Sequence, residues 1–226
     1  MQGVFPGMVG RGGRKEGAGR KPMRGRRGVS HQKRKRFSKG ALHVTVRRRE
    51  CLPSMRTPAA RRVVFRAMEE SAGRFGMGVV HFSILGNHLH LIVEARDQVA
   101  LSKGMQGFKI RLARALNKLW GRSGGAVWAG RYFAQLVRGP RVMRNALLYV
   151  LNNARRHGVR MGREVIDPYS SARWFSGWVE GDLSLVAPSR SPVVEPRYWL
   201  LQQGWWRAGL ISMYAVPGSG RSGPRG

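Results

Sequence analysis

The stretch GNHLHLIV, residues 86–93, decides how the chain is read. Side chains alternate faces along a strand, so Leu89, Leu91 and Val93 share one face and His88, His90 and Ile92 the other. One face feeds a core. The other carries two imidazoles, expected about 6–7 Å apart along the strand from the rise per residue. That spacing lets both nitrogens converge on one ion. The Gly86–Asn87 pair ahead of them suits a tight connection between two strands, and GVVHFSIL (78–85) supplies the first of these.

Working outward, LHVTVRR (42–48) has strand period, with Leu42, Val44 and Val46 set against His43 and Thr45. Thr57 followed by Pro58 is an N-cap with proline at the first helical position. A helical stripe of Ala60, Val64, Met68 and Ser71 runs from there to about Arg74. A longer helix is predicted from Gln98 to Trp120, with its stripe on Leu101, Met105, Phe108, Leu112, Ala115 and Leu119. Lys109, Arg111, Arg114 and Lys118 lie off that stripe. VWAGRYFAQLVR (127–138) is a fourth strand, and Pro140 opens a last helix to about His157, with Gly158 as its C-cap. Strand, helix, strand, strand, helix, strand, helix predicts an α+β, ferredoxin-like core. It has a four-stranded antiparallel sheet with helices on one face, to which the last helix is added.

The ends differ in texture. Residues 1–40 hold 13 Lys and Arg, 10 Gly and a single acid, Glu16, too little apolar surface to offset ordering entropy, and are expected to form a disordered basic arm. The core is expected over residues 41–158, an irregular aromatic-rich extension over 159–212 with one more helix in EPRYWLLQQGWWRAGLIS (195–212), and a disordered tail over 213–226.

Net charge is +31, from 42 Lys and Arg against 11 Asp and Glu. Such a one-signed surface calls for a polyanionic partner, nucleic acid before an anionic membrane. No run approaches the roughly 18 apolar residues of a membrane span, and no secretory signal is visible. Cys51 is the only cysteine, which rules out an internal disulfide and a cysteine-rich zinc cage. An intracellular nucleic-acid protein is expected.

The last predicted helix carries the second half of the chemistry. Met143, Leu147, Val150 and Ala154 form its core stripe. Tyr149 and Asn153 stand four apart on a face beside it, and Arg156 lies one turn further.

Together, HVTVR, LPSMR, GNHLHLIVEA, KGMQGFKIRLARALNKLWGRSGGAVWAGRYF, RNALLYVLNNARRHG, YSSARWFSGW and YWLLQQGWWRAGLI resemble the HUH single-strand DNA nucleases. Within them the resemblance is to the IS200-like, single-tyrosine REP-associated tyrosine transposases, over roughly residues 18–215. Gly130 and Phe133 stand where members often carry an acid and a histidine, and Gly86 where proline is common. The resemblance implies metal-dependent cleavage and rejoining of hairpin-forming single-stranded DNA through a 5′-phosphotyrosine. Tyr149 would be the nucleophile. His88, His90 and Asn153 would hold Mg²⁺ or Mn²⁺, and Arg131, Arg156, Lys109, Arg114, Arg34 and Arg36 would contact DNA. It also implies a monomer or homodimer in the bacterial cytoplasm, associated with the nucleoid. The competing expectation is a non-catalytic single-stranded DNA- or RNA-binding protein, because ferredoxin-like sheets also bind RNA by stacking bases on aromatics. This chain's open sheet face offers His88 and His90 in place of such aromatics.

Overall fold

The computed structural model describes residues 36–159, 165–181, 183 and 190–218. The expected arm, Arg34 included, lies outside the described residues up to position 35. The described residues all belong to one compact unit that begins at Lys33.

The elements follow the predicted order: β1 (Ser38–Arg47), α1 (Pro58–Glu69), β2 (Met77–Ile84), β3 (His88–Asp97), α2 (Gln98–Leu119), β4 (Phe133–Val137) and α3 (Pro140–Leu151). The sheet order is β2-β3-β1-β4, and every pairing is antiparallel. This is the ferredoxin-like α+β arrangement.

Alternation sorts the strands into two cores. Leu42, Val44, Val46, Leu89, Leu91 and Val93 pack with Val64 and Met68 of α1 and Leu101, Met105, Phe108 and Leu112 of α2. The opposite face, through Ala41, Val80 and Ile92, packs with Met143, Leu147 and Val150 of α3 and with Phe175, Trp178 and Trp205 from the extension. The sheet is thus a middle layer. The chain crosses its edge at Gly139, whose φ of 84° and ψ of 153° lie in a region essentially restricted to glycine. Pro140 then starts α3 beneath the sheet, on the face that the histidines occupy.

Thr57 caps α1 as expected, its hydroxyl accepting from the Ala60 amide at 3.2 Å. Asp97 does the same for α2 at 2.7 Å from the Ala100 amide.

Several boundaries move. β1 begins at Ser38, inside the segment read as arm. α1 ends at Glu69 rather than near Arg74, where Gly73 turns left-handed with φ 68°. On α2 the buried stripe passes through Leu116, while Ala115 is half-buried and Leu119 exposed; the helix rotates its stripe by its true pitch. β4 keeps only Phe133–Val137 of the predicted strand. Trp128 makes a lone bridge to Arg48, and its indole N–H donates to the Lys109 carbonyl at 2.9 Å, drawing this segment onto α2.

The last helix is broken. α3 stops at Leu151, Asn152 adopts φ −102° and ψ 18°, and α4 (Asn153–Arg156) resumes. The Asn152 amide donates to the Ser212 and Ala215 carbonyls at 3.0 and 2.8 Å, so the break is held by the extension. Gly158, with φ 62°, ends the segment as predicted.

In the extension, the single expected helix is a short α5 (Trp199–Gln202) followed by a 3₁₀ turn, Gly204–Ala208. Residues 213–218, read as tail, are described and in part packed: Met213 is buried. Positions 219–226 lie outside the described residues. Buried Glu94 on β3 accepts from the Arg197 and Tyr198 amides at 2.8 and 2.9 Å. Asp167 forms a two-pronged ion pair with Arg56 at 2.7 and 3.0 Å. These polar contacts fasten the extension to the core.

Candidate active site

The register of β1 on β3 pairs Thr45 with His90, Arg47 with His88 and His43 with Ile92. On the other side of β3, Ser83 pairs with His90. Directly paired residues point to the same face, so His43, Thr45, Ser83, His88 and His90 share the face that α3 crosses.

The His88 and His90 rings meet edge to face with centroids 4.6 Å apart, closer than strand rise alone gives because the rings lean together. Tyr149 stands over them from α3, its ring 5.0 Å from His90 and 5.5 Å from His43. The Arg156 guanidinium lies 5.3 Å from the Tyr149 ring centre. Two turns after Tyr149, His157 comes within 5.9 Å of His88. Tyr149 and His157 therefore sit above the two ends of the His90–His88 pair. Asn153 lies between them in sequence, as the first residue of α4.

Hydrogen bonding sets the imidazole nitrogens apart. His88 Nδ1 faces Asn87 Oδ1, which can only accept. His88 thus carries its proton on Nδ1 and presents a lone pair on Nε2. His90 Nδ1 has Thr45 Oγ1 and His43 Nε2, each at 3.1 Å, whereas His90 Nε2 is buried with no partner. Both polar atoms of Asn153, a residue with no exposed surface, and the Ser83 hydroxyl are also buried and unpartnered. Buried polar atoms are nearly always hydrogen-bonded. A group of orphans on one face marks a place built to hold something.

Burial also fixes charge. It holds His88 and His43 down to about 4 and His90, crowded further by the neighbouring His43 and His88, down to about 2. All three are neutral at pH 7, the form that ligates metal. Among the described residues no three His, Cys, Asp or Glu side chains are placed to hold one ion, so two imidazoles need a further donor. The Asn153 carbonyl oxygen, buried and without a partner, is the donor expected for that need. Two nitrogens and an amide oxygen suit Mn²⁺ well; Mg²⁺, which prefers oxygen, would retain waters there. The residues present fit such an ion.

The expected site residues therefore separate into two groups. Tyr149, His88, His90 and Arg156 come together, with Asn153 buried one turn beyond Tyr149. Lys109 and Arg114 lie on α2, across the sheet from the histidines, because helix and histidine face pack on opposite sides. Arg131 joins Lys109 along a groove of about 580 Å³ with Trp128 and Tyr132. Arg36 is exposed just before β1. His43, Thr45 and Asn87 were not among the expected site residues. The alternation that sets His43 and Thr45 against Leu42, Val44 and Val46 already places them on the histidine face, but only the β1–β3 register brings them to His90.

The family model described as "Transposase IS200 like" matches residues 39–153, which take in all four strands but for Ser38, and Tyr149 and Asn153. Among solved structures, that of the REP-associated tyrosine transposase bound to a REP hairpin aligns with a TM-score of 0.51 and 17% identity, covering 63% of this chain and 82% of that one. At this identity the likeness speaks for the fold. A candidate transposase from Deinococcus radiodurans aligns at 15% identity over 49% of this chain and 87% of that one, with a TM-score of 0.37 that carries no argument. No curated protein matches the chain. Among the described residues, no helix is long and apolar enough to cross a membrane.

Proposed function

Because this chain belongs to the IS200-like transposase family, a family of DNA-cleaving enzymes, we propose that it cleaves and rejoins hairpin-forming single-stranded DNA through a covalent 5′-phosphotyrosine on Tyr149. The observation that carries this reading is the Tyr149 ring 5.0 Å from His90, whose Nε2 is buried without a partner.

In the cleavage step Tyr149 Oη bonds to the scissile phosphorus, and the phosphorus–O3′ bond breaks. The phenolic proton ends, net, on the released 3′-hydroxyl. A second 3′-hydroxyl then attacks the phosphotyrosine and frees the phenol, so the phosphodiester is rejoined without an outside energy source. Tyrosine ionises near pH 10 in water, so the forming phenoxide–phosphate charge must be stabilised. The Arg156 guanidinium beside the ring serves that purpose. His88 Nε2, His90 Nε2 and Asn153 Oδ1 are the atoms to hold Mg²⁺ or Mn²⁺, which supplies Lewis-acid polarisation of a phosphate oxygen when bound. Lys109, Arg114 and Arg131, on the α2 side of the sheet, would hold duplex or flanking phosphates away from the reacting bond, as would Arg36 just before β1; Arg34, also expected to contact DNA, lies outside the described residues. The solved neighbour's REP hairpin supports a DNA hairpin as the substrate class.

The test is incubation of the full chain with a labelled single-stranded hairpin oligonucleotide and Mn²⁺, followed by denaturing electrophoresis. A covalent protein–DNA band is expected from the wild type and none from Tyr149→Phe, with DNA affinity retained. A band that survives Tyr149→Phe refutes the nucleophile. Cleavage undiminished in excess chelator refutes the metal.

A further inference from the structure

We propose that His43 is a positioning residue for this site: its Nε2 accepts the Nδ1 proton of His90 and so directs the His90 Nε2 lone pair toward the metal position. The inference rests on the metal-site reading given above and adds to it a residue outside the ligand set.

A neutral imidazole carries one proton, on Nδ1 or on Nε2. His90 Nδ1 has two partners within 3.1 Å, whereas Nε2 has none and is buried. A proton on Nε2 would leave a buried N–H with nothing to accept it and no lone pair for ligation. A proton on Nδ1 is used at once, and it leaves on Nε2 an acceptor that an ion can satisfy. Metal-bound histidines are generally held in this way by the group that their second nitrogen meets.

Two groups meet His90 Nδ1, and they are not equivalent. Thr45 lies directly opposite His90 in the register and offers a hydroxyl that can rotate to donate or accept. His43 reaches His90 diagonally and also brings a ring. Its plane is tilted 30° to that of His90, with centroids 5.2 Å apart, and the edge of the same ring system meets Tyr149 at 5.5 Å. His43 therefore touches both the ligand histidine and the nucleophile, and it fixes their separation as well as the tautomer. Its own Nε2 is turned to His90 Nδ1, the nitrogen away from the metal position, which separates its role from that of a ligand.

The experiment measures Mn²⁺ binding directly on the full chain, by loss of the electron paramagnetic resonance signal of free Mn²⁺, so that the readout is independent of DNA cleavage. Metal-free thermal melting of each variant accompanies it as a fold check. His43→Phe keeps an aromatic wall beside Tyr149 but cannot accept a hydrogen bond. It is expected to weaken Mn²⁺ binding by about 10-fold, and the double variant with Thr45→Val by about 100-fold, the range for lost partners of ligand histidines. His43→Gln, whose amide oxygen can accept, should restore most of the affinity. Thr45→Val alone should weaken Mn²⁺ binding less than His43→Phe does. His43→Phe binding Mn²⁺ as tightly as wild type, while His90→Ala abolishes binding, overturns the role of His43 and leaves the site reading intact. Mn²⁺ binding indifferent to His90→Ala overturns the site reading itself, and the role of His43 with it. If the Phe variant does not melt cooperatively, His43→Gln against His43→Ala decides: equal Mn²⁺ affinities overturn the proposal.

Discussion

Asn153→Leu should make the protein more stable and inactive at once. Asn153 has no exposed surface, and neither its amide nitrogen nor its carbonyl oxygen has a hydrogen-bond partner. A buried polar group left unsatisfied costs about 1–3 kcal/mol. Leucine has the same branched arrangement of four side-chain heavy atoms as asparagine, is larger, and has no polar atoms, so it removes the cost of two orphaned groups. Part of that gain is lost to overpacking by the larger side chain, typically about 1–3 kcal/mol. A net gain of about 1–3 kcal/mol remains, equivalent to a melting point higher by about 3–9 °C for a chain of this size. The assay is thermal unfolding of both proteins in chelator and then across a Mn²⁺ series. Wild type should gain stability with Mn²⁺, by about 2.7 kcal/mol at 100 times the dissociation constant. The variant should start higher and gain little. If Asn153→Leu is destabilised by more than about 1 kcal/mol, the most by which overpacking can outweigh the relief of two orphans, the amide serves the fold and not a ligand. A variant that still forms the covalent adduct shows that the amide is not needed for the chemistry.

Three other outcomes test separate parts of the structure. His81, on β2 against the Ser171 hydroxyl at 3.2 Å, is held by burial down to about 4. Since an unfolded histidine binds its proton near pH 6.5, the unfolded chain is protonated first, and stability present above that pH is lost as pH falls toward 4, by about 2–3 kcal/mol at pH 4.5. Urea unfolding of wild type and His81→Asn at pH 7 and 4.5 checks this, and an identical pH dependence in both would contradict it. Asp167→Ala leaves Arg56, with only 15% of its side chain exposed, without its buried partner. That should cost about 3–5 kcal/mol, read by chemical denaturation, and a loss below about 1 kcal/mol, typical of a surface pair, would show that this ion pair does not fasten the extension. Deleting residues 1–32, which carry 8 Lys and Arg, should flatten the dependence of log affinity on log salt. If about four of those charges engage single-stranded phosphates, the slope changes by about 3. The cut position should stay put; a shifted cut would mean that this segment reads the hairpin.

Much of the fold was legible because two periods dominate it. Alternation along residues 42–46 and 88–93 divided each strand into a face for α1 and α2 and a face for α3, and the sheet keeps that division. The helix starts were equally plain, since Thr57 and Pro58 act within one turn. What failed to show was made at long range. The break at Asn152 comes from carbonyls at Ser212 and Ala215, sixty residues away in sequence. β4 is short because Trp128 is taken by the Lys109 carbonyl on α2. No local pattern encodes either partner.

The site divides in the same way. His88 and His90 announced themselves by interrupting an apolar strand, and Tyr149 and Asn153 by sharing a helical face. His43 was visible only as a polar residue on the outer side of β1, since its meaning depends on the pairing of β1 with β3. The break at Asn152 then links the two scales. It falls between Tyr149 and Asn153, and it is held by the extension through the side chain immediately before Asn153. The carbonyls of Ser212 and Ala215 thus meet the chain between Tyr149 and Asn153, from outside the stretch that carries the proposed catalytic groups. Asn152→Ala removes both of those bonds while leaving Tyr149, Asn153 and the histidines in place. Adduct formation lowered far more than stability would show that the extension aligns the site. A loss of stability with full adduct formation by the folded fraction would show that it only braces the helix.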